Sequence, residues 1–188
     1  MNVRALLVLF ALSLSAAAPC HALDVEVLIV GERDGAYFVE FEAVLEAPVA
    51  DVIAVLTDYA HYSSLDPRIA EARIVGESDG WPLLFTRLRG CLGSWLCRDM
   101  DRYERITESA GWVVAESVRG MGDLVHGKAV TYFEPQGTRT RIRYRTDFEP
   151  SFWMPRLLVR RAMLRTLETA TRAMFANVES RAQRGDHP

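Results

Sequence analysis

The chain has 188 residues, 49% hydrophobic and 25% charged, and its 22 basic against 25 acidic side chains give a formal net charge of −3. This is globular material, long enough for one domain with a sizeable core. The mildly acidic balance excludes the whole-domain basic footprint with which proteins hold nucleic acid.

Residues 1–22 read as a secretory signal and not as part of the domain. Arg4 precedes an apolar run from Ala5 to Ala18, and Cys20-His21-Ala22 offers the small residues a signal-peptidase site needs. The run is shorter than the roughly 20 residues required to cross a bilayer core. A periplasmic or secreted protein is therefore expected. Processing would remove Arg4 and Cys20, leaving 21 basic against 25 acidic residues and two cysteines, Cys91 and Cys97. In an oxidising compartment this pair reads as a disulfide closing a tight loop through Gly93; metal ligation and two inert buried thiols are the alternatives. On one continuous strand the two would lie ~20 Å apart, beyond bridging distance.

Val25, Val27 and Ile29 alternate with Asp24, Glu26 and Leu28. After Glu32-Arg33-Asp34-Gly35, Val39, Phe41, Ala43 and Leu45 alternate with Glu40 and Glu42, which predicts a hairpin with one wet face. The period changes at Pro48. Ala50, Ile53, Ala54 and Leu56 fit a short helix with Asp51 near its N-terminus, and a second short turn over Tyr59 to Leu65 is ended by Asp66-Pro67. Strands are expected over 73–75, 83–89, 95–106, 112–118 and 129–133, separated by glycine-bearing turns. The last strand is the clearest, with Thr140, Ile142, Tyr144 and Thr146 alternating with Arg139, Arg141, Arg143 and Arg145. Short connections imply antiparallel neighbours.

The longest helical pattern closes the chain. Val159, Met163, Leu167, Ala170, Met174 and Val178 recur on one face at 3.6 residues per turn, and Arg161, Arg165, Glu168, Arg172 and Glu179 fall opposite. Pro155 suits its first turn, and from there to Arg181 it would span on the order of 40 Å. The predicted fold is α+β: a curved antiparallel sheet wrapped around a long C-terminal helix, with two short helices after the first strands. One domain over residues 23–183 is expected, with residues 184–188 as a disordered tail.

Val39-Glu40-Phe41, Ala47-Pro48, Val55-Leu56-Thr57-Asp58-Tyr59, Pro67, Gly137-Thr138-Arg139 and Pro155 together resemble the START-like, helix-grip (SRPBCC) superfamily, in its polyketide cyclase and coenzyme Q-binding branch. The resemblance covers nearly the whole mature chain. It specifies fold well and chemistry poorly, since one scaffold hosts lipid carriers, quinone-binding proteins, aromatase/cyclases and hydrolases. It implies a cavity between the concave sheet and the long helix, holding a hydrophobic ligand. Tyr59 and Tyr62 would border its mouth, with His61 at a polar head.

Residue chemistry extends that list. Met163, Ala170, Ala173 and Met174 are small or deformable groups on the helix, suited either to an adaptable pocket or to an ordinary core, and Leu167 on the same stripe is a further candidate lining residue. Trp112, Tyr132 and Tyr144 present apolar bodies with polar tips, to a ligand or to the core. Arg87, between Thr86 and Leu88, is the candidate buried charge, with a solvent-facing salt bridge as the alternative. The four arginines at 139–145 form a basic stripe that Asp99, Asp101, Glu104 and Glu116 can offset by cross-strand pairing. Phe152, Trp153 and Arg160 read as an interfacial membrane anchor or as a helix start tucked under a strand end.

Catalytic signatures are missing. The chain carries no G-x-S-x-G, H-E-x-x-H, C-x-x-C or P-loop, and His61, His126 and His187 are too scattered for a metal site. No cofactor is expected. The sequence thus favours a periplasmic carrier of a lipid-, quinone- or polyketide-like molecule over an enzyme. A cyclase/aromatase or hydrolase on the same scaffold is second, and a partner-binding module with a filled cavity third.

Overall fold

The computed structural model describes residues 23–92, 96–152 and 156–186. Residues 1–22, expected to be a secretory signal, lie outside them, as do Trp153, Pro155 and residues 187–188. Strands β1 (Asp24–Arg33) and β2 (Ala36–Leu45) are joined at Asp34 and Gly35, both with positive φ, the two-residue turn whose twist matches the flanking strands. Helix α1 (Val49–Thr57), a 3-10 turn (Tyr59–His61) and α2 (Tyr62–Leu65) follow. Then come β3 (Ile69–Ser78), β4 (Trp81–Leu92), β5 (Leu96–Ser109), β6 (Trp112–Ser117), β7 (Leu124–Gln136) and β8 (Arg139–Pro150), before α3 (Arg156–Arg184). Gly185, at φ +68°, ends this helix by the left-handed step that other residues take at a cost.

The eight strands form one antiparallel sheet in the order β1-β2-β8-β7-β6-β5-β4-β3. The helix-grip architecture expected from the sequence is the one observed. Several strands exceed their predicted bounds, β7 most of all: it starts at Leu124, inside the expected glycine turn, because its first residues pair with the end of β8. Cys91 and Cys97 oppose each other across the β4/β5 pair, 4.0 Å apart at Cα, and are disulfide-bonded.

Because opposed residues in a ladder share a face, the register sorts the side chains. Phe41, Tyr144 and Thr131 are linked through β2, β8 and β7 on the concave face, whereas Glu42, Arg143 and Tyr132 are linked on the convex one. The apolar core occupies one end of the concavity. Phe41, Leu45, Val52, Val55, Ile142, Phe175 and Val178 are buried there between the C-terminal half of α3, α1, β2 and β8. Phe175 stacks on Phe41 at 4.7 Å and meets Tyr144 edge-on at 5.3 Å.

Two expectations are corrected here. Glu179, assigned to the exposed helix face, is buried, and its carboxylate accepts the Glu46 backbone N–H at 2.7 Å. The inward stripe of α3 is thus broad enough to include Thr171, Phe175 and Glu179. The convex arginine stripe, in turn, is offset by the first hairpin and not by β5 or β6. Arg141 bonds Glu26, Arg139 bonds Glu46, and Glu42 and Glu40 stand opposite Arg143 and Arg145. The expected partners are engaged nearer home: Asp99 with Arg89, Asp101 with Arg87, Glu104 with Arg102 and Glu116 with Arg105.

Candidate ligand-binding site

On β5, Met100, Arg102, Glu104, Ile106 and Glu108 follow one another on the same face at i, i+2 spacing, and register places them opposite Leu88, Thr86 and Leu84 of β4. These β4 residues share the concave face, so a charged pair is carried inside the sheet. Arg102 donates from Nη2 to Glu104 Oε1; Glu104 is 3% exposed and the Arg102 side chain 24%. Desolvation works against the guanidinium's charge, but Glu104 outweighs it and holds the Arg102 pKa above its ordinary value. The guanidinium therefore keeps its charge in the interior, with Glu104 as its partner.

Three phenols close on this pair. Tyr62 on α2 donates to the Leu56 carbonyl at 2.6 Å and packs edge-on to Tyr59 at 5.3 Å, while Tyr59 donates to Glu108. Tyr144 comes from β8, in the same electrostatic neighbourhood as Arg102 and Glu104. Burial is the leading cause that pushes all three phenols above the ordinary tyrosine range, so each stays a neutral donor across the physiological range. Tyr62 and Tyr144 are half-buried and pack against the core. Met163, Leu167 and Met174 on α3 are also only half-buried, with Leu167 and Met174 resting on the rim of the core.

Two polar atoms in this region have no partner. Thr86 Oγ1 and Arg102 Nε are buried without a hydrogen bond, and they belong to directly opposed residues on neighbouring strands. A buried unmet donor costs roughly 1–3 kcal/mol.

The structure thus brings together Tyr59, Tyr62, Tyr144, Leu167 and Met174 from the expected set, and Met163 is half-buried two turns earlier on α3. It leaves three others outside. Arg87 lies on the convex face, fastened to Asp101 by two bonds of 2.7 and 2.9 Å and within 3.7 Å of Glu71. Trp112 opposes Tyr132 on that same outer face, where Tyr132 is 46% exposed beneath Arg143. The interior cation is Arg102. A signal for it existed: Met100 and Ile106 bracket Arg102 and Glu104 in one period-2 phase, whereas the other phase reads Asp99, Asp101, Tyr103 and Arg105.

Asp58 is structural. It accepts His61 Nδ1 at 2.8 Å and Arg181 Nη2 at 2.9 Å, tying the join between the short helices to the end of α3. His61 points mostly to solvent. Two grooves flank α3. One, of about 380 Å³, runs between the α2–β3 corner and Arg165, Ala170 and Ala173; the other, of about 550 Å³, lies between Leu28 and Val30 of the edge strand β1 and Arg160, Arg161 and Leu164. Phe152 sits 3.9 Å from the guanidinium of Arg98, and Arg160 bonds Glu32 at 2.8 Å. Among the described residues no cluster of side chains suits a metal ion, and no helix is long and apolar enough to cross a membrane.

Comparison with known proteins agrees with this geometry. Residues 39–183 match the family described as polyketide cyclase/dehydrase and lipid transport, and the chain belongs to that family. Among solved structures it is similar to the Zhui aromatase/cyclase of a Streptomyces species, at 16% identity and a TM-score of 0.62 over 79% of this chain and 94% of that one. It is also similar to a STAR-related lipid transfer protein from Xanthomonas axonopodis, at 15% identity and 0.56 over 87% and 99%. A START superfamily protein from Mycobacterium smegmatis matches at 16% identity and 0.59 over 78% and 97%. No curated protein sequence matches the chain.

Proposed function

We propose that this member of the polyketide cyclase/dehydrase and lipid transport family binds a hydrophobic small molecule between the concave sheet and α3, as a non-enzymatic carrier acting in the periplasm. The observation that supports the reading is the mixed character of the half-buried surface beside the core. Leu167 and Met174 of α3 pack against it together with Tyr62 and Tyr144, and the Arg102–Glu104 pair lies on the same concave face of the sheet. Apolar surface leaving water supplies the affinity, at ~25 cal/mol per Å², and the polar end orients the molecule.

Ligand would load through the groove beside α2, whose rim of Arg68, Arg165 and Ala170 opens toward solvent. Contact with a bilayer surface during loading, through Phe152, Trp153 and Arg160, belongs to the same proposal. Phe152 and Arg160 already have intramolecular partners in Arg98 and Glu32, so this contact would have to exchange them. Liposome flotation with Arg160→Glu tests it: loss of binding supports the contact, and unchanged binding, or none by the parent, ends it.

Native mass spectrometry of the gently purified full chain tests the carrier reading. A co-purifying adduct of lipid or quinone size supports it; an empty protein that binds nothing in a broad lipid and quinone screen overturns it. A second reading, a cyclase or aromatase, is favoured by one feature: phenols held protonated beside a guanidinium can polarise a carbonyl. It requires turnover that Tyr144→Phe abolishes while binding survives.

A further inference from the structure

The two edges of the sheet are finished differently. β3, at one edge, departs from regular pairing twice, between Ile69 and Glu71 and between Ile74 and Gly76, and carries Glu71, Arg73 and Glu77. Bulges and charges of this kind close an edge to further strands. β1, at the other edge, pairs without a break from Val27 to Arg33. Its charges stand toward its ends, and its middle is the apolar run Val27-Leu28-Ile29-Val30, with Ile29 50% exposed. Among the described residues no strand lies beyond it, so its outward N–H and C=O groups are open to a partner. β1 also precedes residue 39, where the family match begins, so that match does not account for it.

α3 runs alongside this open edge. Arg160 is tied to Glu32 near the end of β1, and Glu179 accepts from Glu46, just past the Val44 that opposes Asp24 at its start. The groove of about 550 Å³ between strand and helix is lined by half-buried Leu28, Val30 and Leu164 and by exposed Arg161 and Arg165. Its other charges are met, Arg160 by Glu32 and Glu168 by Arg172, whereas among the described residues Arg161 and Arg165 have no ion-pair partner. Like charges at i, i+4 weaken a helix, so this pair is kept at a cost. The two stand about 6 Å apart along the helix, close to the spacing of about 6.7 Å between alternate residues of an extended strand.

Independently of any ligand inside the fold, we infer that the open edge of β1 receives an extended acidic segment of a partner protein, which adds to the sheet as a further strand and sets alternate carboxylates against Arg161 and Arg165. Backbone hydrogen bonds supply the affinity, and the arginines supply the choice of sequence. A second copy of this chain fits less well. Two-fold pairing of β1 centred on Ile29 would oppose Glu26 to Glu32 and bring Arg161 and Arg165 of both copies into one groove.

The test is amide NMR of the full mature chain titrated with a synthetic octapeptide in which glutamate alternates with threonine. One control carries lysine in place of glutamate, and a second is the acidic peptide with its backbone nitrogens methylated. The acidic peptide should shift Leu28 to Gly31 and residues 160–168 saturably, the lysine peptide should bind about tenfold more weakly, and the methylated peptide should not bind. Arg161→Glu should weaken the acidic peptide about tenfold while leaving the urea-unfolding midpoint in place. Acidic and methylated peptides binding alike would overturn strand addition, and acidic and lysine peptides binding alike would overturn the role of the arginines. No shift with any of the three overturns the whole proposal. So does a dimer in analytical ultracentrifugation whose dilution moves the same β1 amides, which assigns the edge to a second copy. Binding of these residues to vesicles of anionic phospholipid but not to the acidic peptide overturns it too, in favour of a lipid surface.

Discussion

The two ends of the concave surface are built on opposite principles. Where the C-terminal half of α3 meets α1, β2 and β8, the interior is apolar and closed: Phe41, Ile142, Phe175 and Val178 have no accessible surface at all. Across the sheet on β4 and β5 the same face carries Thr86, Arg102 and Glu104, with half-buried Met100 and Ser117 nearby and two unmet polar atoms. A fold seeking only stability would fill the second region as it fills the first, since well-packed apolar residues usually match or exceed a buried ion pair. Stability is concentrated where the helix grips the sheet, and the polar end is where the proposed ligand would be recognised.

Mutations should therefore separate the two ends. The largest effect belongs to Phe175→Ala, which empties the stack on Phe41 and should destabilise by about 4 kcal/mol in urea unfolding. Asp58→Ala should cost about 3 kcal/mol, because Arg181, only 12% exposed, loses its buried partner. The pH dependence of that contribution has a definite sign. Burial alone would raise the Asp58 pKa, but hydrogen bonds from His61 and Arg181 hold it below its ordinary value of 3.8. The stabilisation is then complete above that value and lost as pH falls through the native one. The gap between parent and Asp58→Ala should close in acid unfolding curves below about pH 4.

At the other end the sign should change. Replacing Arg102 by Met and Glu104 by Leu together should leave stability unchanged or raise it by about 1 kcal/mol, while ligand affinity falls. A loss of several kcal/mol would show instead that the polar end is part of the packed core. The smallest effect is expected outside the cavity: Arg87→Ala should cost less than about 1 kcal/mol in the same unfolding assay, with ligand affinity untouched.

This contrast also explains which parts were legible in the sequence. The grip of α3 was readable because period-3.6 apolar spacing and flanking prolines depend on local chemistry, as did the hairpin around Asp34-Gly35. The identity of the inward cation was not. Both phases of β5 carry charge, so the one cue that separates them, Met100 and Ile106 in phase with Arg102 and Glu104, is a weak one. Arg87 was open to two readings, a buried charge or a solvent-facing salt bridge, and its pairing with Asp101 across β4 and β5 decides for the second, because Thr86 and Leu88 beside it point to the opposite face. Glu179 looked exposed because it is charged, and the backbone N–H that buries it comes from Glu46, 133 residues away in sequence. Pairing across the sheet decides such cases, and one chain read alone does not display it.

The claim that the interior of β4 and β5 receives the ligand can be met head-on by methyl and aromatic NMR of the full mature chain titrated with a long-chain quinone. Saturable shifts at Met100, Met163, Met174 and Tyr144, with Tyr132 and Trp112 unmoved, are the predicted outcome. Shifts confined to Leu28, Val30 and Leu164 along the outer groove, or no shifts at all, would contradict it.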